Sequence, residues 1–177
     1  MVGQKCTRDV LNNTLLYVIK LFNKYDIKDW FICYGTLLGI VRENNCIDGD
    51  DDIDIIVNKN YYNKIKEILI SNGFNLEYGY GINNSKNIIK TKERVGLSSI
   101  DIYMSEIDNN GNCKDLWNGL LLTDCYENKE EKNFIEKIWN GERLYIPNNY
   151  IKKLFNRYGK DWKIKKNEKP PQTMMIL

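Results

Sequence analysis

Residues 47–57 read IDGDDDIDIIV, so five carboxylates (Asp48, Asp50, Asp51, Asp52 and Asp54) run straight into a β-branched stretch. A strand entered here alternates its side chains between two faces. That predicts Asp50, Asp52 and Asp54 on one face and Asp51, Ile53, Ile55 and Val57 on the other. The apolar face packs on a core, which fixes the direction of the acidic face. Adjacent ionised carboxylates repel one another and are tolerated when a cation lies between them. Hard oxygen donors at this spacing suit Mg²⁺ or Mn²⁺, ions that also bind phosphate oxygens. Metal-assisted chemistry at phosphorus follows. A calcium EF-hand does not fit: its sixth and twelfth positions, Gly and Glu in that motif, would be Ile53 and Lys59, or Ile55 and Tyr61. A solvated acidic loop fits poorly as well, because such a loop does not lead directly into IDIIV.

The rest of the composition narrows the chemistry. The chain has 177 residues, 42% of them apolar, with four Trp and twelve Tyr, enough for one packed domain. Lys and Arg number 26 against 24 Asp and Glu, too balanced for a protein that binds nucleic acid through a general basic surface. Histidine is absent, which removes His-based zinc sites and Ser–His or Cys–His catalytic pairs. Cys6, Cys33, Cys46, Cys113 and Cys125 form no Cys-x-x-Cys pair and read as free thiols in a reducing compartment. The start MVGQKCTRDV lacks the apolar centre of a signal peptide, and Leu15–Ile19 is far too short to span a membrane. The expectation is a cytoplasmic protein, with peripheral membrane association left open.

Along the chain, apolar residues three and four apart predict a helix over 7–25, capped by Thr7. Residues 30–34 (WFICY) predict a buried strand, 36–42 a short helix, 52–57 a second strand and 60–72 a helix closed by Gly73. Further strands are expected at 74–80, 87–91 and 98–104, with a turn at 108–111. Beyond that, 127–139 reads as helix, 143–146 as extended, and 150–158 as a helix burying Leu154 and Phe155. The order of elements gives an α+β domain, α/β-like in its first half, with a small mixed sheet flanked by helices. The whole of 1–177 reads as one domain. Its motif core is 30–104, its C-terminal subregion 105–162, and 163–177 an extended or mobile tail.

Two more elements accompany the acidic strand. Tyr34-Gly35-Thr36 stands at a strand-to-helix turn, where a glycine lets a phosphate approach and a helix N-terminus offers N–H donors. Asp101, inside the apolar run Ser99–Tyr103, needs a partner, and the obvious one is a metal held by Asp52 and Asp54. Lys86, Lys90, Lys92 and Arg94 precede that strand, where they either reach phosphates or form an ordinary solvated segment.

A Gly-Thr turn, an Asp-x-Asp strand and a third Asp on a later strand is the arrangement of the nucleotidyltransferase superfold of DNA polymerase β type. Over 34–57, YGTLLGIVRENNCIDGDDDIDIIV resembles the signature of the LicD/fukutin family, and the late Tyr158, Gly159 and Trp162 match its Tyr-Gly-x-x-Trp. The resemblance implies a transferase that moves a phosphorylated small alcohol, such as phosphocholine or ribitol phosphate, from a CDP-activated donor to a glycan or glycoconjugate. It implies Mg²⁺ or Mn²⁺ on Asp52 and Asp54, with Asp50 as a further or supporting carboxylate. By the same resemblance Asp101 would complete the catalytic set and take a proton from the acceptor hydroxyl. It implies a donor side at Gly35, Thr36 and Arg42, to which Tyr34 and the basic Lys90 are added as expected donor-binding residues. Two positions depart from the family pattern: Asp48-Gly49 stands where Pro-Trp is common, and Glu43 where His is frequent. The alternatives are transfer of NMP from an NTP to a small molecule or protein, and a non-catalytic nucleotide- or glycan-binding domain.

Overall fold

The computed structural model describes residues 4–79, 82, 84–165 and 177. Helix α1 (Arg8–Lys24) is capped by Thr7, whose hydroxyl accepts from the Val10 N–H, and carries Asp9 in its first turn. Strand β1 (Trp30–Ile32) leads into α2 (Tyr34–Glu43), followed by β2 (Asp52–Asn58), a single 3₁₀ turn (Lys59–Tyr61) and α3 (Tyr62–Ser71). Then come β3 (Ile88–Lys90), β4 (Ser99–Ile107), β5 (Cys113–Asp115) and β6 (Leu121–Leu122). A hairpin of β7 (Ile135–Trp139) and β8 (Glu142–Ile146) precedes α4 (Tyr150–Tyr158).

The main sheet runs β1-β2-β4-β5-β6, and β3 pairs with the edge of β4 that β5 extends. Strands β2 and β4 are parallel and joined through α3; β1 is antiparallel to β2. Alternation divides the two central strands as the sequence predicts. Ile53, Ile55 and Val57, with Ile100, Ile102 and Met104, enter the larger core beneath α1, α3 and the β7–β8 hairpin. Ile56 and Tyr103 enter a smaller cluster on the opposite face with Phe31, Phe134 and Tyr126. The carboxylates of Asp52, Asp54 and Asp101 therefore share that second face.

Several expectations are corrected. The 127–139 segment is turn and then strand, not helix. Its end is a two-residue hairpin turn in which Asn140 (φ 48°) and Gly141 (φ 81°) both take positive φ. Of the strand expected at 74–80, the structure has one bridge, Leu76 to Thr91, and Tyr80 lies outside the described residues. Phe155 is half exposed, and the residue buried beside Leu154 is Lys153. Most of the expected tail, 166–176, lies outside the described residues. Leu177 is held in place: its N–H donates to the Leu121 carbonyl, and its carbonyl accepts from Thr123. All five cysteines are unpaired. Among the described residues no helix is long and apolar enough to cross a membrane.

Candidate active site

The site is built on the register of β2 against β4. Asp52 lies opposite Ser99, and Asp54 opposite Asp101, so both parallel strands present a carboxylate at the same level of one face. Strand β3 adds a third residue to that level, because Lys90 pairs with Asp101. The Lys90 ammonium donates to Asp101 Oδ1 at 2.6 Å and lies 3.8 Å from Asp52 Oδ2. Sequence order alone does not show that a lysine stands between two of the site carboxylates.

Asp54 is locked to the start of α2. Gly35 N–H donates to Asp54 Oδ2 at 3.1 Å, while Asp54 N–H donates to Thr36 Oγ1 at 2.8 Å. Cys33, the N-cap, makes no side-chain cap bond, so the aspartate from β2 supplies the helix's anionic cap. The Tyr103 hydroxyl donates to Asp54 Oδ1 at 3.1 Å. Gly35 is required by this closeness. A Cβ there would lie 2.6 Å from Asp50 Oδ2 and 3.3 Å from Asp54 Oδ2. The residues expected on the donor side thus have protein partners. Thr36 is buried, and the buried Tyr34 donates its hydroxyl to Asp115 Oδ2 at 2.5 Å. Arg42 holds Glu43 through Nε and Nη2. Arg94 serves the fold: it donates to the Asn72 carbonyl and stacks on Phe74 at 4.3 Å.

The acidic group is larger than the alternating pattern predicts. Strand β2 begins at Asp52, so alternation does not reach back to Asp51, and Asp51 is not confined to the opposite face. Asp50, Asp51 and Asp52 each offer a carboxylate oxygen, all within 4.8 Å of one another. Burial is the main reason charge is unfavourable on Asp52, Asp54 and Asp101. It pushes the Asp52 carboxyl up to about 7, with Asp101 and Asp51 adding to the rise and Lys90 opposing it. Burial, then Asp52 and Asp101, raises Asp54 well above the ordinary carboxylate range, and burial raises Asp101 against the pull of Lys90. A set of hard oxygen donors held together against their own repulsion fits Mg²⁺ or Mn²⁺.

The loop that delivers these residues is pinned from the N-terminal segment, a role the sequence reading missed. Cys6 N–H donates to the Asp50 carbonyl, Gly49 N–H to the Cys6 carbonyl, and Arg8 N–H to Asp48 Oδ1. The Arg8 guanidinium pairs with Glu43. Asn12 in α1 accepts from Cys46 N–H and donates to Asn45. Both departures from the family pattern, Glu43 and Asp48-Gly49, are therefore contacts of Cys6 and Arg8.

Comparison with known proteins agrees with this geometry. The model of a family described as LicD/FKTN/FKRP, nucleotidyltransferase domain, matches residues 28–165, a span that takes in every element after α1. No curated protein matches the chain. Among solved structures, it is similar to the lincomycin-bound crystal structure of the lincosamide antibiotic adenylyltransferase LnuA. The two are 16% identical, with a TM-score of 0.57 over 83% of this chain and 86% of that one. At that identity the likeness is one of fold, and the fold is that of the nucleotidyltransferases. With its Gly-Thr turn, acidic strand and partner aspartate on one face, the chain belongs to the LicD/FKTN/FKRP family.

Proposed function

We propose that this chain is a metal-dependent transferase that moves a phosphorylated small alcohol, of the phosphocholine or ribitol phosphate kind, from a CDP-activated donor to a hydroxyl of a glycan or glycoconjugate. The observation that carries the reading is the β2–β4 register, which sets Asp54 opposite Asp101 on the face where Asp52 also lies. Family membership supports the phospho-alcohol donor. Asp50, Asp52, Asp54 and Asp101 are the metal-binding carboxylates of this reading, and the close grouping of Asp51 with Asp50 and Asp52 adds it to them. The bound Mg²⁺ or Mn²⁺ supplies charge neutralisation at the donor diphosphate.

The chain's own residues do the rest. Gly35 leaves room at the turn, while Thr36 and Tyr103 hold Asp54 in one orientation. Lys90 carries a positive charge at the level of the carboxylates and meets donor phosphate oxygens; Arg42 adds charge from the end of α2. Asp101, raised by burial, accepts the proton of the attacking hydroxyl.

The second reading, transfer of NMP from an NTP, is favoured by one observation: a structural neighbour with this fold is an adenylyltransferase. Phosphorus NMR of the products separates the two. With CDP-choline or CDP-ribitol and Mn²⁺, CMP release with the phospho-alcohol on the acceptor or on water supports the proposal. Pyrophosphate release from an NTP supports nucleotidyl transfer instead. Binding of these nucleotides with neither product points to a non-catalytic domain.

A further inference from the structure

A second cation reaches this site from the far end of the chain. Arg157, on α4, places its guanidinium carbon 4.1 Å from the centroid of the Tyr34 ring and 5.9 Å from that of Tyr158. Tyr34 is joined to Asp54 by two routes. It directly precedes Gly35, whose N–H donates to Asp54, and its ring meets the edge of Tyr103 at 5.1 Å, whose hydroxyl also donates to Asp54. Arg157 therefore stacks on the tyrosine that adjoins both Gly35 and Tyr103, two hydrogen-bond partners of Asp54.

Its hydrogen bonding is incomplete. Arg157 Nε is buried and has no hydrogen-bond partner among the described residues. The buried carboxylate on the same ring, Asp115, does not need it. Asp115 Oδ1 accepts from the N–H groups of Trp117 and Asn118, and Oδ2 accepts from the Tyr34 hydroxyl and from Asn118 Nδ2. A buried guanidinium N–H without an acceptor is costly, and structures retain such groups where an anion completes them. The planar fork of arginine suits phosphate oxygens, and stacking on an aromatic face holds that fork in one plane.

We infer that Arg157 is a donor-binding residue, its stacked guanidinium pairing with a phosphate oxygen of a nucleoside diphosphate bound at Asp54. This rests on the donor reading proposed above for that site. It adds to that reading a contact from α4, so the C-terminal helix is part of the donor pocket.

The test is equilibrium binding of CDP and of inorganic pyrophosphate, each with Mn²⁺, to the wild-type chain, Arg157→Met and Arg157→Lys. Methionine keeps apolar packing on Tyr34 and removes the charge. Arg157→Met is expected to weaken both ligands on the order of tenfold or more, the size of a charge-assisted hydrogen bond. Its affinity for Mn²⁺ alone should be unchanged, and Arg157→Lys should fall between the other two. Undiminished binding by Arg157→Met overturns the inference and leaves the site reading intact. A parallel loss of Mn²⁺ affinity overturns it too, because Arg157 would then act by holding Tyr34 and the carboxylates. Where Arg157→Met does not fold, a loss of ligand by folded Arg157→Lys supports the contact, and wild-type affinity in that variant counts against a fork-shaped one. Absence of binding by the wild-type chain contradicts the donor reading itself.

Discussion

Between about pH 4 and pH 7 the folded chain holds a proton on Asp52 that the unfolded chain releases, because burial and then Asp101 and Asp51 raise that carboxyl to about 7 from its ordinary 3.8. The folded state binds more protons across that window, so stability falls as pH rises through it, by at most ~1.4 kcal/mol per pH unit for each such group. Thermal melts of metal-free protein should show the decline, and Mn²⁺ should reverse it at neutral pH. Asp52→Asn removes the charge at its source. It is expected to abolish turnover, raise the metal-free Tm at pH 7.5 and flatten the pH dependence. Asp54→Asn should also abolish turnover but gain less stability, because both Asp54 oxygens accept hydrogen bonds and an amide keeps one acceptor. Unchanged turnover in either variant contradicts the metal-site assignment. Two glycines of α2 make a matched pair. In Gly35→Ala the new methyl group meets the tip of Asp50, which can swing away, so the fold persists while Mn²⁺ affinity and activity drop. In Gly39→Ala it meets backbone, Asn45 O at 2.6 Å and Ile47 N at 3.0 Å, so Tm itself falls. Melting curves and Mn²⁺ titrations of both variants distinguish the two effects.

At the scale of the element, the helices and central strands follow from side-chain spacing, and the misreadings have physical causes. Phe134, Ile135, Ile138 and Trp139 recur at three- and four-residue intervals, which mimics a helix face. Asn140-Gly141 was the decisive contrary signal, since both residues adopt the positive φ of a type I′ hairpin turn. The hairpin's Trp139 then donates its indole N–H to the Asn44 carbonyl, buttressing the loop that follows α2. Short β5 and β6 carry too few residues to show a period. In α4, Lys153 is buried because its ammonium donates to the carbonyls of Thr123 and Asn148. A sequence reading that buries only apolar residues assigns that place to Phe155. Lys153→Met leaves both carbonyls without that donor and should cost about 1–3 kcal/mol. Hydrogen exchange should locate the loss in α4 and the 123–125 segment; unchanged protection there would contradict the tethering role.

Over the whole molecule, Asp50, Asp52, Asp54 and Asp101 are legible as a set because alternation and an isolated buried Asp are local signals. Lys90 is legible only as a basic residue, since its place between Asp52 and Asp101 depends on long-range pairing of β3 with β4. The grouping of Asp51 with Asp50 and Asp52 is not legible from alternation, because both Asp50 and Asp51 precede the strand that begins at Asp52. The latch of Cys6 and Arg8 on residues 48–50 joins segments that no local pattern connects. Metal-dependent binding of a CDP-linked donor at the acidic face can be measured by thermal shift of the wild-type chain and Asp52→Asn with Mn²⁺ and CDP-choline, CDP-ribitol, ATP or UTP. At about 100 times its dissociation constant a ligand stabilises the fold by roughly 2.7 kcal/mol, well within reach of the measurement. The cytidine diphosphates are expected to stabilise the wild-type chain more than ATP or UTP do, only with Mn²⁺ present, and Asp52→Asn is expected not to respond. Stabilisation without Mn²⁺, an equal response from Asp52→Asn, or no shift with any nucleotide would contradict that expectation.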